Sequence, residues 1–289
     1  MAFDRDIMNS TEQKRTVTDR IISNARSVYY GIYEPRQLKV ARKENALQQF
    51  SAQKEPFISV YVPTYNRGDI LIERAVSSVL NQTYTNFEFI IIGDHCTDNT
   101  ENLVKKIKDK RIRFYNIPQR GYRYPPTPEN HWFAGPVIAA NTALEMVKGD
   151  WIARIDDDDI WTDDHLEVLL NFAQKGDFEF VSSSYMTIRQ GKEIIVDERD
   201  QIPRIGGTQT WLYRSYLKFF KYNIDCWRKA WNRVNDTDIQ DRIYKAGVKM
   251  GFLDQVTCHI IPRPGEDTIG LEAYRATADE KMEHFKFTD

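Results

Sequence analysis

The residues that could do chemistry crowd into one short run. Asp156, Asp157, Asp158 and Asp159 follow directly on the apolar stretch WIARI at 151–155. Four adjacent carboxylates repel one another strongly unless a cation offsets them. Mg2+ or Mn2+ takes one or two carboxylates together with phosphate oxygens and water, which suits such a run. An acidic run on an arbitrary loop is more often a solvated turn capping the next helix. Its place after a strand favours a ligand site instead, because ligands of open α/β sheets bind beyond the carboxyl ends of the strands. Two further acidic turns stand apart from it. Asp94 follows FEFIII at 87–92, and Asn235-Asp236-Thr237-Asp238 opens a helical pattern. His259 closes the last strand-like run; a lone histidine is more often structural than a ligand.

These groups need a scaffold, and the hydrophobic rhythm supplies one. FISVYV at 57–62 and FEFIII at 87–92 are short β-rich runs of the kind buried in parallel sheets. ILIERAVSSVL at 70–80 between them has helical spacing, NTENLVKKIKD at 99–109 predicts a second helix, and RIRFYNI at 111–117 a third strand. The segment 136–149 opens with Pro136 and closes with Gly149, the punctuation of a helix, and 165–176 ends on Gly176 in the same way. Strand and helix alternating in this order predict βαβ units and an α/β, Rossmann-like, mostly parallel doubly wound sheet. Beyond residue 177 the pattern loosens into a hairpin around Gln190-Gly191, an aromatic-dense stretch 211–231, a helix at 237–247 and a strand at 248–260. Residues 1–54 read as a polar, helix-patterned extension and 266–289 as a helical tail. The main α/β domain is expected over 55–265, with a first half at 55–177 and a second half at 178–265.

Composition narrows the classes. Lys plus Arg number 40 against 42 Asp plus Glu, so bulk electrostatics give no reason to expect nucleic-acid binding. Cys96, Cys226 and Cys258 are widely spaced and read as free thiols of a reducing compartment, which predicts a cytoplasmic location. The N-terminus shows no apolar signal core, and no apolar run approaches the roughly 20 residues of a membrane span. The protein is expected to be soluble or at most peripheral to a membrane, and the leader is compatible with membrane-surface contact or with a homo-oligomer.

Three segments together resemble the family 2 glycosyltransferases of the GT-A fold, over roughly residues 55–265. SVYVPTYNRGDILIERAVSSVLNQTYTNFEFIIIGDHCTDNT resembles the family's opening strand, helix and strand with their acidic turn. GDWIARIDDDDIWTDDHLE matches its Asp-x-Asp segment, and RVNDTDIQDRIYKAG resembles the helix that begins with the acidic base motif. The resemblance implies an inverting, divalent-metal-dependent transfer of a sugar from a nucleotide-sugar donor to the hydroxyl of a glycan or glycolipid, as in polysaccharide biosynthesis. Pro63, Thr64, Tyr65 and Arg67 then lie on the nucleotide-contacting loop. Asp94 matches the acid that accepts a hydrogen bond from a pyrimidine, which favours a uridine nucleotide; the lesser alternative is a cap of the helix at 97–109. Asp156 matches the acid that touches ribose or metal-bound water, with Asp157 beside it among the donor contacts. Asp158 matches the acid that binds Mn2+ or Mg2+ directly, and His259 falls where some relatives place a further metal contact. Asp236 matches the general base, Asp238 is its competitor, and either could instead serve the helix start electrostatically.

Two places depart from the family pattern. Ala140-Asn141 stands where many members have Arg-Asn, so a cationic donor contact is either missing or supplied by Arg120 or Arg123. The connection 120–135 is long and rich in proline and aromatics, as loops that shape access to a site often are. On the acceptor side Trp211, Tyr213, Tyr216, Trp227 and Trp231 are candidates for stacking on sugar rings, although aromatics at such spacing more often belong to a core. The segment 259–270 resembles the loop that closes over the donor. Two rivals remain. A sugar-nucleotide pyrophosphorylase would show a Gly-rich loop after the first strand, which VPTYNRGD is not. A non-catalytic carbohydrate- or nucleotide-binding relative would not be expected to keep all of Asp94, Asp156, Asp158 and Asp236.

Overall fold

Ile58–Thr64 (β1) and Phe87–Gly93 (β2) are buried along their whole length, as two runs without polar alternation require. The computed structural model of the protein describes residues 16–45, 55–121, 123–228, 235–270 and 273. Within these, β1 pairs in parallel with β2 on one side and with Trp151–Arg154 (β4) on the other, and β2 pairs in parallel with Ile112–Asn116 (β3). The sheet then continues from β4 through Leu212–Arg214 (β8), Phe180–Arg189 (β6) and Met250–Ile260 (β9) to Asp159–Trp161 (β5). Lys192–Val196 (β7) pairs antiparallel with β6, forming the hairpin expected around Gln190-Gly191. β1, β2, β3, β4, β6 and β9 run in one sense, while β8, β5 and β7 oppose them.

Helices cover both faces, and the alternation along β1 shows why. Val60 and Val62 point to one core with Leu71, Val76 and Val79 of the helix at 68–80 (α2) and Leu166, Leu169 and Leu170 of His165–Lys175 (α6). Tyr61 points to the other, with Val137, Ala140 and Leu144 of Val137–Met146 (α5), Ile239 of Asn235–Ala246 (α7) and Leu38. α2 is one continuous helix whose middle, Ile72–Val76, is wound as a π-turn. Two shorter helices, Thr100–Lys106 (α3) and Pro128–Ala134 (α4), complete the connections. Gly149 ends the α5 connection where a side chain has no room: a Cβ there would stand 2.5 Å from the Ser59 backbone nitrogen.

The N-terminal extension packs on the domain. Residues 17–45 form a single helix, Val17–Asn45 (α1). Glu34, Leu38 and Ala41 are buried against the domain. Glu34 pairs with Arg242 of α7, which also donates to Asp238 at 3.0 Å and to the Lys221 carbonyl at 2.6 Å. Arg42 forks onto Glu179 at 2.7 and 2.6 Å. Replacing one member of such a buried set leaves a charge without compensation, so the helix belongs to the fold it covers. The aromatic-dense stretch is core as well. Trp211 and Tyr213 are buried and Trp227 packs against them from the rim, so these rings are committed to packing rather than to a sugar platform. Trp231 and most of the expected helical tail lie outside the described residues.

Candidate active site

A cavity of about 680 Å3 opens beyond the carboxyl ends of β1, β2 and β4. The loop after β1 contributes Pro63, Thr64, Tyr65, Asn66 and Arg67, and the turn after β2 contributes Asp94. Asn66 adopts a left-handed backbone (φ 50°), and its side-chain oxygen accepts from the Thr97 amide at 2.8 Å, tying the two loops together. The acidic run supplies Asp156, Asp157, Asp158 and Asp159, and the start of α7 supplies Asn235 and Asp236. The expected catalytic and donor-contacting residues, from four separated segments, therefore share one wall. His259 is not among the lining residues. It sits on β9 paired with Ile160 of β5, while its successors Ile260 to Arg263 line the cavity.

Arginines, which the sequence reading did not assign to this run, offset much of its charge. Arg154, nearly inaccessible on β4, donates to Asp156 at 3.1 and 2.8 Å. Arg67 pairs with Asp157 at 3.1 Å and reaches Asp158 at 3.7 Å. Arg263, on the segment after β9, stands 3.3 Å from Asp158 and 3.0 Å from Glu266. Arg74 of α2 donates to the carbonyls of Asp158, Ile261 and Pro262, pinning the acidic turn to the segment after β9. The four acids are not equivalent. Burial pushes Asp157 above the usual carboxylate range despite Arg67, and pushes Asp159 well above it with its acidic neighbours adding to the effect. Asp156 and Asp158 keep 35% and 24% of their side chains exposed, so these two face the cavity.

That division decides how a metal would fit. Among the described residues no three His, Cys, Asp or Glu side chains converge on a metal position. A closed, all-protein metal cage is therefore not what this site offers. Asp156 and Asp158 do fit Mg2+ or Mn2+ held jointly with diphosphate oxygens and water, the usual manner for these hard cations.

Asp94 is gripped from behind. Arg123 donates to both of its oxygens at 2.7 Å, and Arg120 donates to one of them at 3.1 Å. The Arg120 guanidinium also lies 3.8 Å over the Tyr65 ring, and its side chain is almost fully buried. Arg120 and Arg123 thus both serve Asp94 in this structure. His131 and Trp132 of α4 also line the cavity. Burial first, and then the charges of Arg120, Arg67, Arg123 and Arg263, hold His131 well below its ordinary value, so it is neutral near pH 7. The unusual connection 120–135 is thereby part of the site wall.

Asp236 and Asp238 separate cleanly. Asp236 opens α7 on the cavity side, its Oδ1 accepting from the Thr237 amide at 2.8 Å, and burial raises its pKa. Asp238 is buried against Arg242 and does not line the cavity. Asn235 donates to the Phe133 carbonyl at 2.8 Å, which fastens the start of α7 to α4. Some of these partners had signals in the sequence. Arg154 inside an otherwise apolar strand must find an acid, and Asp156 two residues on is the nearest. Arg263 and His131 carried no such local mark.

Comparison with known proteins bears on this arrangement. The family model described as "Glycosyl transferase family 2" matches residues 59–233. An Escherichia coli protein named UDP-Glc:alpha-D-GlcNAc-diphosphoundecaprenol beta-1,3-glucosyltransferase WfgD is 33% identical over 131 residues, covering 45% of this chain and 46% of its own. The crystal structure of Staphylococcus aureus TarS 1-349 in complex with UDP-GlcNAc superposes with a TM-score of 0.58 at 18% identity, covering 73% of this chain and 60% of that one. The mannosyltransferase PcManGT from Pyrobaculum calidifontis, in complex with GDP-Man and Mn2+, gives 0.54 at 17% identity, covering 82% and 68%. The chain spans between about a fifth and a half of the length of the curated relatives it matches. The two structural likenesses speak for a shared GT-A fold.

Proposed function

The chain belongs to glycosyl transferase family 2, and we propose that its cavity carries a sugar from a nucleotide-sugar donor to an acceptor hydroxyl with inversion at the anomeric carbon. The observation that carries this reading is the convergence of Asp94, Asp156, Asp158 and Asp236, from three separate segments, on one cavity beyond the strand ends. Asp94 and Tyr65 would contact the nucleobase. A uridine nucleotide suits a carboxylate acceptor because the uracil imide is a donor. TarS was solved with UDP-GlcNAc, and the WfgD name gives UDP-Glc as its donor, which supports a UDP-sugar here.

Asp156 and Asp158 would hold Mn2+ or Mg2+, and PcManGT was solved with Mn2+. Such an ion supplies Lewis-acid stabilisation of the diphosphate as it departs. Arg67 and Arg263, already beside Asp158, are within reach of the same charge. Asp236 takes the proton from the acceptor hydroxyl as that oxygen attacks the anomeric carbon from the face opposite the diphosphate. Its raised pKa suits this role, because a base works best when its pKa lies near the operating pH. Since relatives include an enzyme of a lipid-linked sugar, a glycan or glycolipid is the acceptor class.

The experiment is a panel of UDP- and GDP-sugars incubated with Mn2+ and assayed for release of the nucleoside diphosphate. Release from a UDP-sugar, abolished by chelator, is expected, and an α-linked donor should give a β-linked product by NMR. No release from any donor, or an α-linked product, contradicts the reading.

A further inference from the structure

The two faces of α1 invert the usual order of a surface helix. Its inward positions carry charge. Asp19 pairs with Arg228, Arg26 with Asp225 at 2.7 Å, and Glu34 with Arg242. Its outward crest is aliphatic: Val17, Ile21, Val28 and Ile32 are 73%, 62%, 62% and 50% exposed. Spacings of four, seven and four residues bring these four within about 60° of one another on a helix of 3.6 residues per turn. Tyr29 and Val40 flank the crest and are also exposed. A contiguous apolar strip of this kind marks an interaction surface.

The charges around the strip identify the partner. Arg20, Arg36, Lys39 and Lys43 are exposed on the same helix, and Glu44 is its one exposed acid, because Asp19 and Glu34 are turned inward. This face is cationic although the whole chain has a formal net charge of −2. A second copy docked on it would set cations against cations. A surface that is apolar within and anionic at its rim matches both features.

We propose that α1 lies along an anionic lipid surface. The aliphatic crest enters the boundary between headgroups and acyl chains, Tyr29 sits at that boundary, and the Lys and Arg stems extend to the headgroup charges. The crest from Val17 to Ile32 runs roughly 22 Å at 1.5 Å per residue, along the first half of the 29-residue helix. No described helix is long and apolar enough to cross a membrane, so the contact is peripheral. The inference stands on the helix alone and not on the chemistry of the cavity.

The test is flotation of the full chain with phosphatidylcholine–phosphatidylglycerol vesicles and with pure phosphatidylcholine vesicles. The parent is expected to float with the anionic vesicles and to bind pure phosphatidylcholine about tenfold or more weakly. Ile21→Glu with Ile32→Glu should lose binding by about tenfold or more, and Lys39→Gln with Lys43→Gln by several-fold. Both double variants alter exposed positions, so each should keep the parent melting temperature and the parent donor turnover without vesicles. The proposal is overturned if the parent does not float, if both vesicle types bind it equally, or if either variant floats like the parent. It is also overturned by a concentration-dependent dimer, seen in sedimentation, that Ile21→Glu with Ile32→Glu dissolves.

Discussion

Asp236 and Asp238 stand two residues apart in the first turn of α7, and their surroundings are opposite. Asp236 faces the cavity, with the Thr237 amide as its hydrogen-bond donor and no ion pair to it among the described residues. Asp238 faces the helix layer and is locked into Arg242, which in turn holds Glu34 of α1. The same contrast separates two larger regions. At the strand ends, Asp156 and Asp158 are left partly open, with arginines 2.8 to 3.7 Å away. Between α1 and α7 the acids are closed into buried pairs. An acid poised for chemistry keeps access to the cavity, while an acid that holds the fold gives up that access to a fixed partner.

The largest effect that could break this contrast is on rate. Asp236→Asn keeps size and a hydrogen-bonding oxygen but cannot take a proton, so transfer should fall by about 10²-fold to 10⁴-fold with donor affinity retained. The pH profile should change with it. A carboxyl whose folded pKa is raised must lose its proton to act as a base, so parent turnover should rise as pH climbs through a value above the ordinary carboxylate range. The variant should lack that limb. The same raised pKa means that ionising Asp236 costs stability, and the cost grows as pH rises from the unfolded value through the folded one. Asp236→Asn should therefore melt at or above the parent temperature at pH 7. Unchanged turnover in Asp236→Asn would dissolve the distinction between the two aspartates.

The next effect falls on stability. Glu34→Ala leaves Arg242 buried with one carboxylate fewer, at a cost of about 3–5 kcal/mol in chemical denaturation. Asp238→Asn keeps a hydrogen-bond acceptor for Arg242 and should cost less, about 1–3 kcal/mol, with turnover per folded molecule close to the parent's. A large loss of turnover in folded Asp238→Asn would move the base from Asp236 to its neighbour. The smallest effect is the control. Lys105 and Glu101 form an exposed i,i+4 pair on α3, and Glu101→Gln should change stability by no more than about 0.5 kcal/mol. A larger change there would mean that burial is not what separates the strong pairs from the weak ones.

The sequence made the strands and helices legible because each has its own period. β1 and β2 are short, fully buried β-rich runs, and α5 is bracketed by Pro136 and Gly149. It also exposed the acids, since an acidic run after a strand has few structural uses. It could not show which acids would be neutralised by partners distant in the chain. Asp238 meets Glu34 through Arg242, and Asp158 meets Arg263, across more than a hundred residues. The aromatic stretch was open for a related reason. Trp211 and Tyr213 could suit a sugar as well as the more usual core, and the packing of Phe180 against both rings at 5.1 and 5.8 Å places them in the core. The short strand β5 escaped notice because its three residues gain their pairing from β9, about a hundred positions away.

The central claim, that the open acids form a donor site completed by a metal, is tested most directly by calorimetric titration of UDP into the protein. The titration is run with Mn2+, with chelator, and on Asp158→Asn with Mn2+. The account predicts binding to the parent only when Mn2+ is present, and a loss of about tenfold or more in Asp158→Asn. Equal UDP affinity in all three titrations would contradict it.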